Sequence, residues 1–184
     1  MKSSRFVTSD GRADVSASFP AHQGSTVPHR LFGLLAMLWV GSQLTIGYAV
    51  APVLFASLDR TQAGAIAAQL FRIEGILGAV CGVLLLVLSN VLARRGAVNY
   101  RRSRWLLAGM LLCVLIGYFA LQPFMNAMRV EAMNAGVDIA NSPYASRFGM
   151  LHGVSSVFYL VESLLGIALV WMLPAVRGIV APRV

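Results

Sequence analysis

Apolar and polar positions along this chain segregate on the scale of whole helices. Residues 31–58, 75–93 and 105–128 hold no charged side chain, and residues 148–174 hold one, Glu162. A helix needs about 20 predominantly apolar residues to cross the hydrocarbon core, and each stretch reaches or nearly reaches that. The pattern predicts four membrane-spanning helices over about 31–57, 64–93, 105–128 and 148–174. Joined by short connections, they make an all-α polytopic membrane protein, an antiparallel bundle of four transmembrane helices. Residues 30–176 form this domain. A Ser-rich polar segment, 1–29, precedes it and reads as a disordered tail, and 177–184 form a short second tail. An Ala49-x-Ala51 pattern resembles a signal-peptidase site, but the long apolar run and Pro52 just after the cut favour an uncleaved helix.

Composition agrees with the pattern. Mean hydropathy is +0.73, and only 12% of residues are charged, against about 25% in soluble domains. The formal net charge of +8 changes the picture through its distribution. Lys2, Arg5, Arg12 and Arg30 precede the first span. Arg94, Arg95, Arg101, Arg102 and Arg104 crowd the second connection, and Arg177 and Arg183 follow the fourth span. The other two connections balance Arg60, Arg129 and Arg147 against Asp59, Glu131 and Asp138. Basic residues resist translocation, so the arginine-rich side is expected to be cytoplasmic, with both termini inside. The basic excess is therefore read as topology, the bilayer as the partner, and no nucleic-acid partner is expected.

Small residues and prolines shape the predicted packing. Gly78-x-x-x-Gly82, Gly149-x-x-x-Gly153 and the series Gly109, Cys113, Gly117 allow close helix approach. Cys81 and Cys113 lie within spans and read as small packing residues. Pro52 and Pro123 each remove a helical hydrogen bond and are expected to kink the first and third spans. Each follows a Gly-Tyr pair, Gly47-Tyr48 and Gly117-Tyr118, with spacings that differ by one residue.

The fourth span carries the main candidate chemistry. His152, Ser155, Tyr159, Glu162 and Gly166 are spaced three, four, three and four apart and share one helical face, bordered by Ser156 and Ser163. The opposite face, Val154, Phe158, Val161 and Leu165, suits lipid. Glu162 lies roughly 20 Å along the helix, where an unpaired carboxylate costs about 3 kcal/mol. The stripe is therefore expected to face the bundle or a wet cavity. Arg72 and Glu74 are its natural partners if they enter the membrane. Alternatively the uncharged run 75–93 spans alone and both stay at the interface. Gln43 and Gln122 are further candidates for a polar interior.

Met125 and Met128, with Met133 nearby and Met150 and His152 opening the fourth span, offer thioether and imidazole ligands for a soft metal. Met125, Met128 and His152 are the candidate metal set, and ordinary gap-filling by Met accounts for the same residues. His29 and His152 lie a full membrane apart, so no bis-His haem is expected, and no cofactor is. The nucleotide-binding, zinc-protease and serine-hydrolase motifs GxxxxGKS, HExxH and GxSxG do not occur, and an enzyme is not expected.

The motifs Trp39-x-Gly41, Ala51-Pro52-Val53-Leu54-Phe55, Leu70-Phe71, Gln122-Pro123 and Phe148-x-x-x-His152-Gly153-x-Ser155-Ser156 are similar to those of the transmembrane protein 205 family. The likeness covers about residues 31–174 and touches Pro52, Phe71, Pro123, Met128, His152, Ser155 and Ser156, but not Arg72 or Glu74. It implies a membrane protein of a family with bacterial members and a link to metal tolerance, expected here in the bacterial inner membrane. Two functions are thus expected to compete. One is a small transporter-like protein for soft metal ions or small solutes. The other is a non-enzymatic accessory subunit that docks a membrane-protein partner, or a second copy of itself, through its glycine faces.

Overall fold

A computed structural model describes residues 26–94 and 100–173. The expectations for the two tails, and for Arg95, lie outside the described residues. The rest is helical: α1 Thr26–Thr45, α2 Ala51–Ser57, α3 Arg60–Arg94, α4 Tyr100–Leu115, α5 Gln122–Asn134 and α6 Ala145–Trp171. Two π-helical turns, Ile46–Val50 and Ile116–Leu121, join α1 to α2 and α4 to α5. The result is four continuous spans: Val27–Ser57, Arg60–Arg94, Tyr100–Asn134 and Ala145–Trp171. The uncharged runs mark apolar stretches within these helices, which continue beyond them, by about four turns at the start of the second span.

The spans pack in a ring. α1 lies against α3 and α6, and α4 lies against the same two helices. The second and fourth spans therefore face each other across the bundle axis. Phe32, Ala36, Trp39, Val40 and Gln43 form the buried face of α1. Gly78 and Gly82 of α3 receive Trp39: a Cβ on Gly78 would fall 2.6 Å from Trp39 Nε1, and one on Gly82 3.1 Å from its Cη2. These small residues thus serve packing within the chain.

Packing differs between the two ends. Phe32, Leu85, Leu107, Met110 and Leu169 fill the arginine-rich half with fully buried side chains. His29 Nδ1 meets the Tyr100 hydroxyl at 2.8 Å there. Cys81 and Cys113 are buried and free. Toward the other end, neither π-helical turn nor α2 buries a residue, and α5 buries only Ala132.

What reads in the sequence as two proline kinks is built as two π-helical turns. Ala51 N–H reaches back to Ile46 C=O and Gln122 N–H to Gly117 C=O, each five residues away. Pro52 and Pro123 follow directly as second residues of α2 and α5. A proline ring clashes with the carbonyl four residues earlier, and the wider turn moves that carbonyl aside. The first turn has five residues and the second six, which is where the one-residue difference between the Gly-Tyr-Pro spacings resides.

The loop end is tied by side chains. α5 stops at Gly136, whose φ of +72° permits a Schellman closure: Gly136 N–H to Met133 C=O and Val137 N–H to Ala132 C=O. Asp59 Oδ1 caps α3 by accepting the N–H groups of Thr61 and Gln62, both at 3.0 Å. Asp138 accepts the Thr61 hydroxyl at 2.7 Å and the Ala140 N–H at 2.7 Å. The Thr61 hydroxyl, then the Ala140 N–H and the Arg60 charge, hold the Asp138 carboxyl below its ordinary value. A depressed folded pKa stabilises above the unfolded value, about 3.9, and that stability fades as pH falls through the folded one. Hydrogen–deuterium exchange, corrected for intrinsic rates, is expected to show protection at Ala140 dropping over that acid window. In Asp138→Asn the step is expected to be missing.

Candidate functional site

Above the apolar plug, at the level where the first and third spans change from α to π, lies a buried polar cluster. α3 contributes Glu74 and α6 contributes Glu162, each 4% exposed. These two helices lie across the axis from each other, and both carboxyl groups are turned inward, within electrostatic reach of one another. α1 adds Trp39 and Gln43, one turn apart on one face and both fully buried.

Hydrogen bonds fix most of the surrounding side chains. The Ser163 hydroxyl donates to Tyr159 C=O at 2.8 Å and accepts from Gln43 Nε2 at 3.3 Å and Tyr48 Oη at 3.2 Å. The Tyr159 hydroxyl donates to Gln43 C=O at 2.5 Å. In an unbroken α-helix that carbonyl receives the Gly47 N–H, and a Cβ on Gly47 would fall 2.7 Å from the Tyr159 hydroxyl oxygen. Only glycine leaves room for the hydroxyl there. The rings of Phe71 and Tyr48 flank Tyr159 at 5.3 and 6.1 Å.

Four buried polar atoms in this cluster have no hydrogen-bond partner: Trp39 Nε1, Gln43 Oε1, Glu74 Oε1 and Glu162 Oε1. Trp39 Nε1 lies beside Glu162 without reaching hydrogen-bond geometry. Unsatisfied buried polar groups are few in folded proteins, so four in one place mark a site rather than a packing accident.

The residues singled out in the sequence separate into those that join the cluster and those that do not. Tyr159 and Glu162 join it, and Ser155 is half-buried on the same face. Glu74 points inward and Arg72 outward, because side chains two residues apart on a helix do not face the same way. The expected pairing of Arg72 with Glu162 is therefore absent. His152 is exposed and stacks on Phe148 with ring planes 3° apart. It lies about 15 Å along α6 from Glu162. Leu165, placed on the lipid face by spacing, packs against the core instead, because the buried face of α6 runs through Glu162, Ser163, Gly166 and Leu169.

Of the soft-metal set, one member lines a surface recess. Met128 and Met150 line an open recess of about 400 Å³ at the loop end, with Phe124, Glu131 and Arg147. Neither Met125 nor His152 lines it. No group of three or more His, Cys, Asp or Glu side chains is arranged to hold a metal among the described residues. Ser163, placed by spacing at the border of the stripe, joins the cluster, whereas Trp39 and Tyr48 were not legible as site residues from sequence. The one available signal was the four-residue spacing of Trp39 and Gln43, which puts an indole and an amide on one helical face.

Neither a curated protein nor a solved structure matches the chain. Residues 34–134 match the family described as Domain of unknown function (DUF4149). That segment includes Trp39, Gln43 and Glu74 and stops short of Glu162. As the match spans more than half of the sequence, the chain belongs to the DUF4149 family.

Proposed function

We propose that this protein is a small transporter-like membrane protein whose ion-carrying centre is the Glu74–Glu162 pair, with protons as the first cargo. The carrying observation is the convergence of two buried carboxyl groups, each with an unpartnered oxygen, from helices facing each other across the bundle. Carboxyl groups inside a membrane are expensive, and their recurrent use is in ion pathways and proton relays. The asymmetric packing supports the same reading. One half is a dense apolar plug, while the π-helical turns above the pair bury nothing. An ion reaches the pair from the loop end.

The arginine distribution orients the molecule, with the arginine-rich end and both termini in the cytoplasm of a bacterial inner membrane. The plug then faces inward and the open half outward. The likeness to the transmembrane protein 205 family, carried in part by Phe148-x-x-x-His152-Gly153, supports a membrane role without catalysis. A soft-metal cargo has weaker support, since of Met125, Met128 and His152 only Met128 lines the loop-end recess and His152 is exposed. The accessory-subunit reading loses its docking face at Gly78 and Gly82, which Trp39 fills from within.

Purified protein in proteoliposomes with an internal pH dye tests the proposal under a clamped membrane potential. Wild type is expected to dissipate an imposed pH gradient. Glu74→Gln and Glu162→Gln, each near-isosteric, are expected to slow this at least tenfold at equal protein content. A wild-type rate equal to that of empty vesicles overturns the reading, as does an unchanged rate in both variants.

A further inference from the structure

We infer that the Glu74–Glu162 site also takes one alkali metal cation, in exchange for a proton, with Gln43 Oε1 as a neutral ligand. This rests on reading the pair as an ion-carrying centre and adds a second class of cargo to it.

A count of donors and acceptors carries the inference. Ser163 spends its one hydrogen on Tyr159 C=O, so it meets Gln43 only as an acceptor. The amide must turn its Nε2 toward Ser163, which leaves Oε1 facing the interior with no donor. Tyr159 spends its hydroxyl hydrogen on Gln43 C=O and Tyr48 spends its own on Ser163. Trp39 Nε1–H is the one enclosed N–H donor left, with the weak S–H donors of buried Cys81 and Cys113 within electrostatic reach of Glu74 and Glu162. Against them stand three enclosed acceptor oxygens, Gln43 Oε1, Glu74 Oε1 and Glu162 Oε1. Protons on the carboxyls or a cation among these oxygens meets that surplus.

The chemistry of the ligands selects the cation. The three unpartnered acceptor oxygens suit hard ions, and the Cys81 and Cys113 thiols near them are the soft alternative that the Zn²⁺ arm of the titration tests. Only two of the oxygens are anionic, and no third acidic, His or Cys side chain completes a metal-holding group among the described residues. Divalent ions of this class need more: Ca²⁺ takes about 6–8 oxygen ligands, and Mg²⁺ dehydrates reluctantly. With one carboxyl still protonated the site carries a single negative charge, which a monovalent ion neutralises and a divalent ion overshoots, and water completes the coordination. Entry of the ion displaces one carboxyl proton, which leaves to water. The net charge of the site is therefore unchanged, and no redox partner is required.

Trp39 reports on the site directly. Trp105 and Trp171, 82% and 88% exposed, are removed as Trp105→Phe and Trp171→Phe to leave one indole. Sodium or potassium chloride is then titrated at constant ionic strength against choline chloride. Trp39 emission is expected to change saturably with an alkali ion at pH 8. The apparent Kd should rise about tenfold for each unit of acidification through the exchange range, as one-for-one competition requires. Glu74→Gln and Glu162→Gln are expected to abolish the response, and Gln43→Leu to weaken it at least tenfold. A response equal to that of choline, one that survives both Glu variants, or saturation by Ca²⁺, Mg²⁺ or Zn²⁺ alone overturns the inference. Proton flux without alkali binding sinks only this inference. Alkali binding without flux sinks only the transport reading.

Discussion

Gly78→Leu is expected to abolish the monodisperse folded protein, the largest single-residue effect predicted for this chain. A Cβ alone at this position would lie 2.6 Å from Trp39 Nε1 and 3.3 Å from Val114 Cγ2. Trp39 is fully buried and its rigid ring cannot swing clear without leaving the core. Overpacking commonly costs about 1–3 kcal/mol, and a branched four-carbon side chain against two immovable neighbours exceeds that. The first and second spans must separate or rotate, which also pulls Trp39 from Glu162. Size-exclusion chromatography and thermal unfolding in detergent check this. Gly41→Leu and Gly153→Leu serve as controls, because a Cβ at either meets nothing within 4 Å. Both are expected to behave as wild type. A normal elution profile and melting temperature for Gly78→Leu would show that helix contact at Trp39 is not what holds the bundle.

Trp39→Ala is expected to destabilise by about 3–5 kcal/mol, the range for deleting a buried aromatic side chain. In lipid the loss comes mainly from packing, since hydrocarbon tails are as apolar as the side chain removed. Trp39 is the largest fully buried side chain among the described residues, and it fills the space opposite both Gly78 and Gly82. Its Nε1 has no hydrogen-bond partner, so truncation forfeits van der Waals contact and no satisfied polar bond. Trp39→Phe is accordingly expected to recover most of the stability. Reversible unfolding in mixed micelles measures both. Equal loss in the two variants would mean that the indole N–H, not ring volume, is the stabilising feature. The paired glycines and the tryptophan act as one contact, so Gly78→Ala combined with Trp39→Ala is expected to cost less than the sum of the single changes.

The architecture was readable because a bilayer imposes a simple demand. Each span must be apolar over its whole thickness, so Glu162 stood out as the single charge in the fourth run, and its stripe with Tyr159 followed from spacing alone. The proline positions were readable for the same local reason: a missing N–H and a ring clash act within one turn. The response of the chain to those prolines, a π-helical turn of five residues in one span and six in the other, depends on what packs around them.

Other features were not legible. Arg72 and Glu74 sit two residues apart, and their sequence context does not show which one turns inward. His152 shares a helical face with Glu162, yet the stripe drifts to the surface at the loop end, where α5 and the last loop replace α4 as the neighbour. The contact of Tyr159 with the α1 backbone required Gly47, a residue more than a hundred positions away.

Sequence by itself determined the number of spans, their order and the depth of Glu162, through contiguous apolar length and helical periodicity. The rotation of each helix about its axis, the diagonal placement of α3 and α6, and hence the meeting of Glu74 with Glu162 beside Gln43 were decided only by tertiary structure. The physical reason is the solvent. In water, hydrophobicity separates an inward face from an outward one, but in lipid both faces are apolar. Helix rotation then rests on shape, on where a glycine admits a tryptophan, and on hydrogen bonds that form only after the helices have met.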